Sequence, residues 1–253
     1  MPLTDYDTVI LDIEGTITPI TFVKEVLFPF VTRGLDAYLD RAWGSDDLRT
    51  YIAQLREQAR KDVQDSMTGA VLIPTETEAP AEEIKEAVKK NIHWQMAADR
   101  KIGALKSFQG FMWKDGYLSG ELLGQVYDDV VPALEKWRKA GKKIYIYSSG
   151  SVAAQKLLVK YTDKGDLMEY FSGYFDTTVG LKVESESYKA IAREIGKEHD
   201  LGHILFITDN IKEVIASKEA GYQVVIADRP GNAPLGPESA AFQIVTAFDQ
   251  IEH

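Results

Sequence analysis

The sequence predicts an α/β fold: a Rossmann-like parallel sheet core with an inserted all-helical domain. Three observations predict it. The run Thr8-Val9-Ile10-Leu11 is β-branched and aliphatic at consecutive positions, the pattern of a strand buried on both faces. The second half of the chain alternates such runs with helix-period segments, which implies right-handed crossovers and parallel pairing. Between the two, residues 21–124 show helical spacing and no strand. The first strand therefore belongs with the second half, giving a core of residues 1–20 and 125–253 and a helical cap of residues 21–124.

The elements follow in chain order. Phe22, Val23, Val26, Leu27, Phe30 and Val31 recur at helical spacing, as do Leu48, Tyr51, Ile52 and Leu55. Pro74-Thr75-Glu76-Thr77-Glu78-Ala79-Pro80 is a polar, proline-bounded loop. Ile84, Val88 and Ile92 mark a third helix, and Ile102, Leu105, Phe108 and Met112 a fourth. A helix over 132–140 closes at Gly141, where a glycine can take the left-handed conformation that ends helices. Strands are predicted over 143–147, 204–208, 224–227 and, shorter, 243–245. Helices are predicted over 152–161, 184–196 and 211–220. Residues 161–180 carry Phe171, Tyr174 and Phe175 without a decisive period, and fit strand or loop.

Composition narrows the function. The 253 residues are 45% apolar with a formal net charge of −10. That balance argues against binding nucleic acid or anionic membrane, both of which favour basic patches. No cysteine is present, which excludes a disulfide framework and thiolate chemistry. Residues 1–5 lack a basic segment followed by an apolar one, and no apolar run nears the ~20 residues of a membrane span. A cytoplasmic location is expected, extending to the nucleus should the source be eukaryotic, with the chain acting as a monomer.

Three strands end in polar groups: Asp12 and Glu14 after the first, Ser148 and Ser149 after the second, Asp209 after the fourth-quarter strand at 204–208. Sites of open α/β sheets lie at these carboxyl ends. Lys182 stands at the mouth of a loop entering a helix. A carboxylate nucleophile, a hydroxyl, a lysine and a further carboxylate, in that order, can assemble a phosphoryl-transfer site. The order resembles the four motifs of the haloacid dehalogenase superfamily. Five stretches narrow the resemblance to the enolase-phosphatase (acireductone synthase) family of methionine salvage. They are Asp12-Ile13-Glu14-Gly15-Thr16, Phe22-Val23-Lys24 with Leu27-Phe28-Pro29, Tyr147-Ser148-Ser149-Gly150-Ser151, Lys182-Val183-Glu184-Ser185-Glu186-Ser187-Tyr188, and Arg229-Pro230-Gly231-Asn232-Ala233. Trp94-Gln95 and Asp99-Arg100-Lys101 resemble it too. The sequence departs from the family's pattern at Ile17, Phe30 and Asn210.

The resemblance implies a core of the haloacid dehalogenase type and a bifunctional enzyme. Its substrate would be 5-(methylthio)-2,3-dioxopentyl 1-phosphate, enolised and then dephosphorylated to an acireductone. Asp12 would be the nucleophile and Glu14 an acid/base of at least one step. Ser148 and Ser149 would bind the phosphoryl group and Lys182 would neutralise it, with Lys189 a rival for that role. One Mg²⁺ per subunit would be ligated by Asp12, Asp209 and the main-chain carbonyl of Glu14. Phosphate monoesters can need up to ~10²¹-fold acceleration, roughly 28 kcal/mol. A general acid supplies about 10²–10⁴ of it, so charge stabilisation must carry most. Glu213 could orient a metal water or cap its helix, and Trp94 could face substrate or pack in a core. Competing readings are a phosphatase for another small ester, a dehalogenase, which has no use for metal ligands, and a catalytically silent binding protein.

Overall fold

The structure is a computed structural model that describes residue 3 and residues 5–251. The reading of residues 1–5 as leader-free concerns positions that lie, Leu3 and Asp5 apart, outside the described residues. The chain forms two compact units, Met1–Glu25 with Gly120–His253, and Val26–Ser119. The junctions expected at 20/21 and 124/125 stand a few residues from these.

In chain order the elements are β1 (Thr8–Leu11), α1 (Ile20–Phe22), a π-helical turn (Val23–Leu27), α2 (Phe28–Ala42), α3 (Asp46–Gln64), α4 (Ala81–Ala97) and α5 (Gly103–Ser119). There follow α6 (Val130–Lys139), β2 (Lys143–Tyr147), α7 (Val152–Lys160), β3 (Gly173–Phe175), α8 (Ser185–Glu194), β4 (Ile204–Thr208), α9 (Ile211–Ala220), β5 (Gln223–Ala227) and β6 (Gln243–Val245). Short 3₁₀ turns fill several connections.

The strands form one sheet in the order β3-β2-β1-β4-β5-β6, every pairing parallel. β1 is central, and all four of its residues are buried, as is all of β4. That is why both read as unbroken apolar runs. The chain runs outward from β1 through β2 to β3, then returns to the other side of β1 with β4. The carboxyl ends of β1 and β4 therefore flank a topological switch point, where open α/β sheets bind ligands. The ambiguous stretch 161–180 contains β3, an edge strand of three residues that pairs Gly173 with Tyr145.

The helical unit has its own core. Val31, Leu35 and Leu39 of α2 meet Ile52 and Leu55 of α3, Ile84, Val88 and Ile92 of α4, and Leu105, Phe108 and Met112 of α5. These are the apolar stripes that the sequence spacing marks. Burying each such side chain contributes about 1.5–3 kcal/mol. The first predicted helix is interrupted by the π-helical turn. Pro29, in the first turn of α2, offers no amide hydrogen to the turn before it, and the backbone widens there.

Candidate active site

Asp12 is the first residue past β1, and its amide still donates to the Ile207 carbonyl of β4 at 3.0 Å. The residue is 5% exposed. One carboxylate oxygen, Oδ1, accepts from the Ile13 amide at 2.7 Å and lies 2.7 Å from Lys182 Nζ. The other, Oδ2, accepts from the Thr208 hydroxyl at 3.0 Å. Lys182 Nζ also lies 2.7 Å from Glu213 Oε2, so one buried ammonium bridges two buried carboxylates. Burial alone would push the lysine pKa down. The charges of Asp12 and Glu213 outweigh it and hold the pKa above the ordinary lysine value. Lys189 instead pairs with Glu186 at 2.7 Å on the surface of α8, so Lys182 is the lysine that reaches Asp12.

Thr208 makes two contacts with one proton. Its Oγ1 is 3.0 Å from Asp12 Oδ2 and 2.9 Å from Glu213 Oε2. Its one proton can be given to only one of them at a time. Burial, then the charge of Asp12, pushes the Glu213 carboxyl up to about 7. Glu213 therefore neither caps α9 nor stands free. The cap is Asn210, whose Oδ1 accepts from the Lys212 amide at 3.1 Å while its Nδ2 donates to Glu213 Oε1 at 3.3 Å. A family departure noted in the sequence thus has a local structural role.

Asp209, at the end of β4, approaches the loop after β1. Gly15 has a φ of 68°, and a Cβ there would sit 2.5 Å from Asp209 Oδ2 and 2.8 Å from Asn232 Oδ1. Only a glycine leaves that space open. Asn232 donates through Nδ2 to the Gly15 carbonyl at 2.9 Å, while its buried Oδ1 has no partner among the described residues. Burial, then the charge of Asp12, pushes the Asp209 carboxyl up to about 7, and half-buried Glu14 adds to the effect. The region concentrates more negative charge than Lys182 offsets, and its donors are hard oxygens. Such a set suits Mg²⁺, which binds one or two carboxylates with waters and phosphate oxygens.

Among the described residues, three carboxylate or imidazole ligand atoms within 4.8 Å of one another occur elsewhere, at Asp7, Asp200 and His203. Lys197 Nζ already lies there, 2.6 Å from Asp7 and 3.1 Å from Asp200. That cluster is a surface ion-pair group set before β1 and β4, at the opposite ends of the strands from Asp12 and Asp209.

Ser148 is buried just past β2, its amide donating to the Phe175 carbonyl at 3.1 Å and its Oγ accepting from the Gly150 amide at 3.3 Å. Ser149 is exposed on the same loop. Ser151 caps α7 through the Ala154 amide. Gln155, buried in α7, donates to the carbonyls of Gly150 and Phe175 at 2.7 and 2.8 Å and fixes the loop from beneath. Neither Gln155 nor Thr208 stands out in the sequence as a site residue. Their signals are faint, a glutamine one turn into the helix after the serines and a threonine just before Asp209.

In the helical unit, Arg100 pairs with buried Asp62, its Nη2 2.7 Å from Oδ1, and lies 4.8 Å over the Trp94 ring. Trp94 Nε1 donates to the Thr68 carbonyl at 3.1 Å, and Gln95 is fully buried against Asn91. For Trp94 these contacts favour the packing alternative.

Residues 6–221 match the haloacid dehalogenase-like hydrolase family. Enolase-phosphatase E1 of Xenopus tropicalis is 47% identical over 245 residues, 96% of this chain and 93% of that protein. The chain belongs to the enolase-phosphatase family. A probable bifunctional methylthioribulose-1-phosphate dehydratase/enolase-phosphatase E1 of Arabidopsis thaliana is 47% identical over 243 residues, and the chain spans 47% of its length. The chain spans only 22% of a 46% identical Aedes aegypti enolase-phosphatase E1. Among solved structures, the UTR4 protein of Saccharomyces cerevisiae aligns over 97% of this chain and 100% of its own, with a TM-score of 0.76 and 33% identity. As a member of this family the chain is a phosphatase, and the parallel sheet and its switch point are those of a haloacid dehalogenase-like hydrolase.

Proposed function

We propose that this enolase-phosphatase converts 5-(methylthio)-2,3-dioxopentyl 1-phosphate to 1,2-dihydroxy-5-(methylthio)pent-1-en-3-one and phosphate, as a step of methionine salvage. The observation that carries the reading is the buried Lys182 ammonium bridging Asp12 and Glu213 at the switch point, with Asp209 on the neighbouring strand. The name of the Arabidopsis relative supports the substrate class, since dehydrating a methylthioribulose 1-phosphate yields a diketone phosphate.

In the first reaction a proton leaves C1 of the substrate and the C2 oxygen gains one, giving the enol. In the second, an Asp12 carboxylate oxygen attacks phosphorus and the ester oxygen leaves with a proton from Glu14. Water then attacks the aspartyl phosphate, returning its proton to Glu14 and freeing Asp12. Lys182 offsets the charge gathered between ester and nucleophile, and the loop of Ser148 and Ser149 orients the phosphoryl oxygens. One Mg²⁺, held by Asp12, Asp209 and the Glu14 main-chain carbonyl, would when bound supply the positive charge that lets a carboxylate approach a dianion. In this reading the core unit carries the chemistry. The protein works as a monomer in the cytoplasm on a small phosphate ester.

The test follows phosphate release and the absorbance of the enolised product together, with the diketone phosphate and Mg²⁺, with and without a chelator. Both signals are expected with metal and neither phosphate signal nor turnover with chelator. Asp12→Asn and Lys182→Ala are expected to lose at least about 10³-fold in kcat. Undiminished phosphate release by Asp12→Asn sinks the mechanism. Release from other small esters but not from the diketone replaces the substrate.

A further inference from the structure

Lys182 is a buried cation on a turn, outside every strand and helix, between β3 and α8. Its neighbours do not anchor it by burial: Leu181 is 53% and Val183 51% exposed. The turn is held instead through its main chain. Three consecutive carbonyls each accept from a side-chain hydroxyl. Tyr147 donates to Gly180 at 2.9 Å, Ser187 to Leu181 at 2.8 Å and Tyr188 to Lys182 itself at 2.6 Å. Tyr222 donates in turn to the Tyr188 carbonyl at 2.6 Å.

We propose that Tyr188, with Tyr147 and Ser187, is a positioning residue that sets Lys182 against Asp12 by fixing the lysine's backbone. This rests on the reading that Lys182 serves phosphoryl transfer.

The tyrosines suit the task. Tyr188 is fully buried and meets Tyr147, Phe206 and Tyr222 edge-on, at 5.5, 5.2 and 5.6 Å between ring centres. Its ring is locked, so its hydroxyl has a fixed direction. Burial raises the pKa of both phenols, Tyr147 to about 12 and Tyr188 further, so both remain donors wherever the enzyme works. Lys182 Nζ lies 5.6 Å from the Tyr147 ring centre and 6.0 Å from that of Phe206, so the rings that aim the hydroxyls also face the ammonium. Gly180, at a φ of 140°, brings its backbone so close to Ser187 that a Cβ would collide with the hydroxyl. A lysine has long, soft side-chain torsions, and an error of ~1 Å in a charged group can cost about 10²-fold. Clamping the carbonyls removes the backbone's share of that freedom.

The experiment compares Tyr188→Phe with Tyr222→Phe in the full chain with Mg²⁺ and the diketone phosphate. Each loses one buried hydroxyl that bonds a carbonyl at 2.6 Å, but only the first releases Lys182 directly. Urea midpoints are measured beside kcat and KM, and the acylation rate of Lys182 is read by mass spectrometry. Tyr188→Phe is expected to lose about tenfold or more in kcat and to label faster at Lys182, with Tyr222→Phe within about twofold of wild type. Equal kcat losses in the two variants overturn the proposal. Wild-type kcat and labelling in Tyr188→Phe overturn it too, and if Lys182→Ala is inactive the proposed function stands. Wild-type turnover by Lys182→Ala overturns both. Should Tyr188→Phe not fold, Tyr147→Phe takes its place with the same expectations.

Discussion

At Asp12 the balance of charge is local and tight. One oxygen is taken by an amide and an ammonium, the other by the hydroxyl of Thr208, which is itself shared with Glu213. A carboxylate so held cannot turn away from the switch point, and Lys182 cannot leave without stranding two carboxylates. Gly15 limits the same geometry from the other side. Gly15→Ala would place a methyl group 2.5 Å from Asp209 Oδ2 and force a side chain into the left-handed region at φ 68°. The backbone cost is about 1–2 kcal/mol, roughly 2–4 °C in Tm per kcal/mol for a chain of this size class. In the proposed function, displacing Asp209 would weaken metal binding beyond this folding cost. The Mg²⁺ concentration for half-maximal activity is expected to rise about tenfold or more, measured by Mg²⁺ titration of phosphate release. A variant that loses Tm but keeps its Mg²⁺ requirement would remove Asp209 from the ligand set.

Elements are joined around the site by one guanidinium. Arg229, just after β5, donates through Nε to the Thr16 carbonyl at 3.0 Å, through Nη1 to Thr246 at 2.8 Å, and through both terminal nitrogens to Asp129 at 3.1 and 2.8 Å. It lies 4.5 and 4.6 Å from the ring centres of Tyr127 and Phe248. The loop after β1, the start of α6 and the loop after β6 are thereby tied to one side chain. Arg229→Met is expected to destabilise the protein by about 3–5 kcal/mol in urea unfolding, because Asp129 is left without its partner. Arg229→Lys should recover little of it, since an ammonium cannot reproduce the planar fork. The sequence marked Arg229-Pro230-Gly231-Asn232 as a motif, yet nothing in it told that the arginine staples while the asparagine braces Gly15. What the sequence made legible were features with a period or an order: the buried runs of β1, β2, β4 and β5, the apolar stripes of α2 to α5, and the succession Asp12, Ser148, Lys182, Asp209. β3 stayed ambiguous because three residues beginning with glycine carry no period. The π-helical turn was invisible because one extra residue over five barely changes helical spacing. Thr208, Gln155 and the tyrosine hydroxyls were missed because their roles exist only across elements distant in the chain.

At the scale of the whole molecule, a helical unit with its own core and an excess of acidic groups make stability depend on how each buried carboxylate is matched. The helical unit stakes much on one pair. Asp62 is buried in α3, accepts from Arg100 and from Gln58 Nε2 at 2.8 Å, and is closed off by Trp94 lying against the arginine. The Arg100 hydrogen bond holds its carboxyl below the usual carboxylate range, against the upward push of burial. An unfolded aspartate titrates near 3.9, so on acidification the unfolded chain binds its proton first. The pair's contribution is complete above about pH 4 and is lost as pH falls through the lower, folded value. Asp62→Asn should therefore cost about 3–5 kcal/mol at neutral pH, by leaving the guanidinium unpaired, and show a shallower loss of stability between about pH 4 and 2. Urea unfolding read by hydrogen exchange, which reports α3 and α4 apart from β1 and β4, measures both. Parallel acid slopes for wild type and Asp62→Asn in α3 and α4 would mean that other carboxylates govern the acid unfolding of this unit.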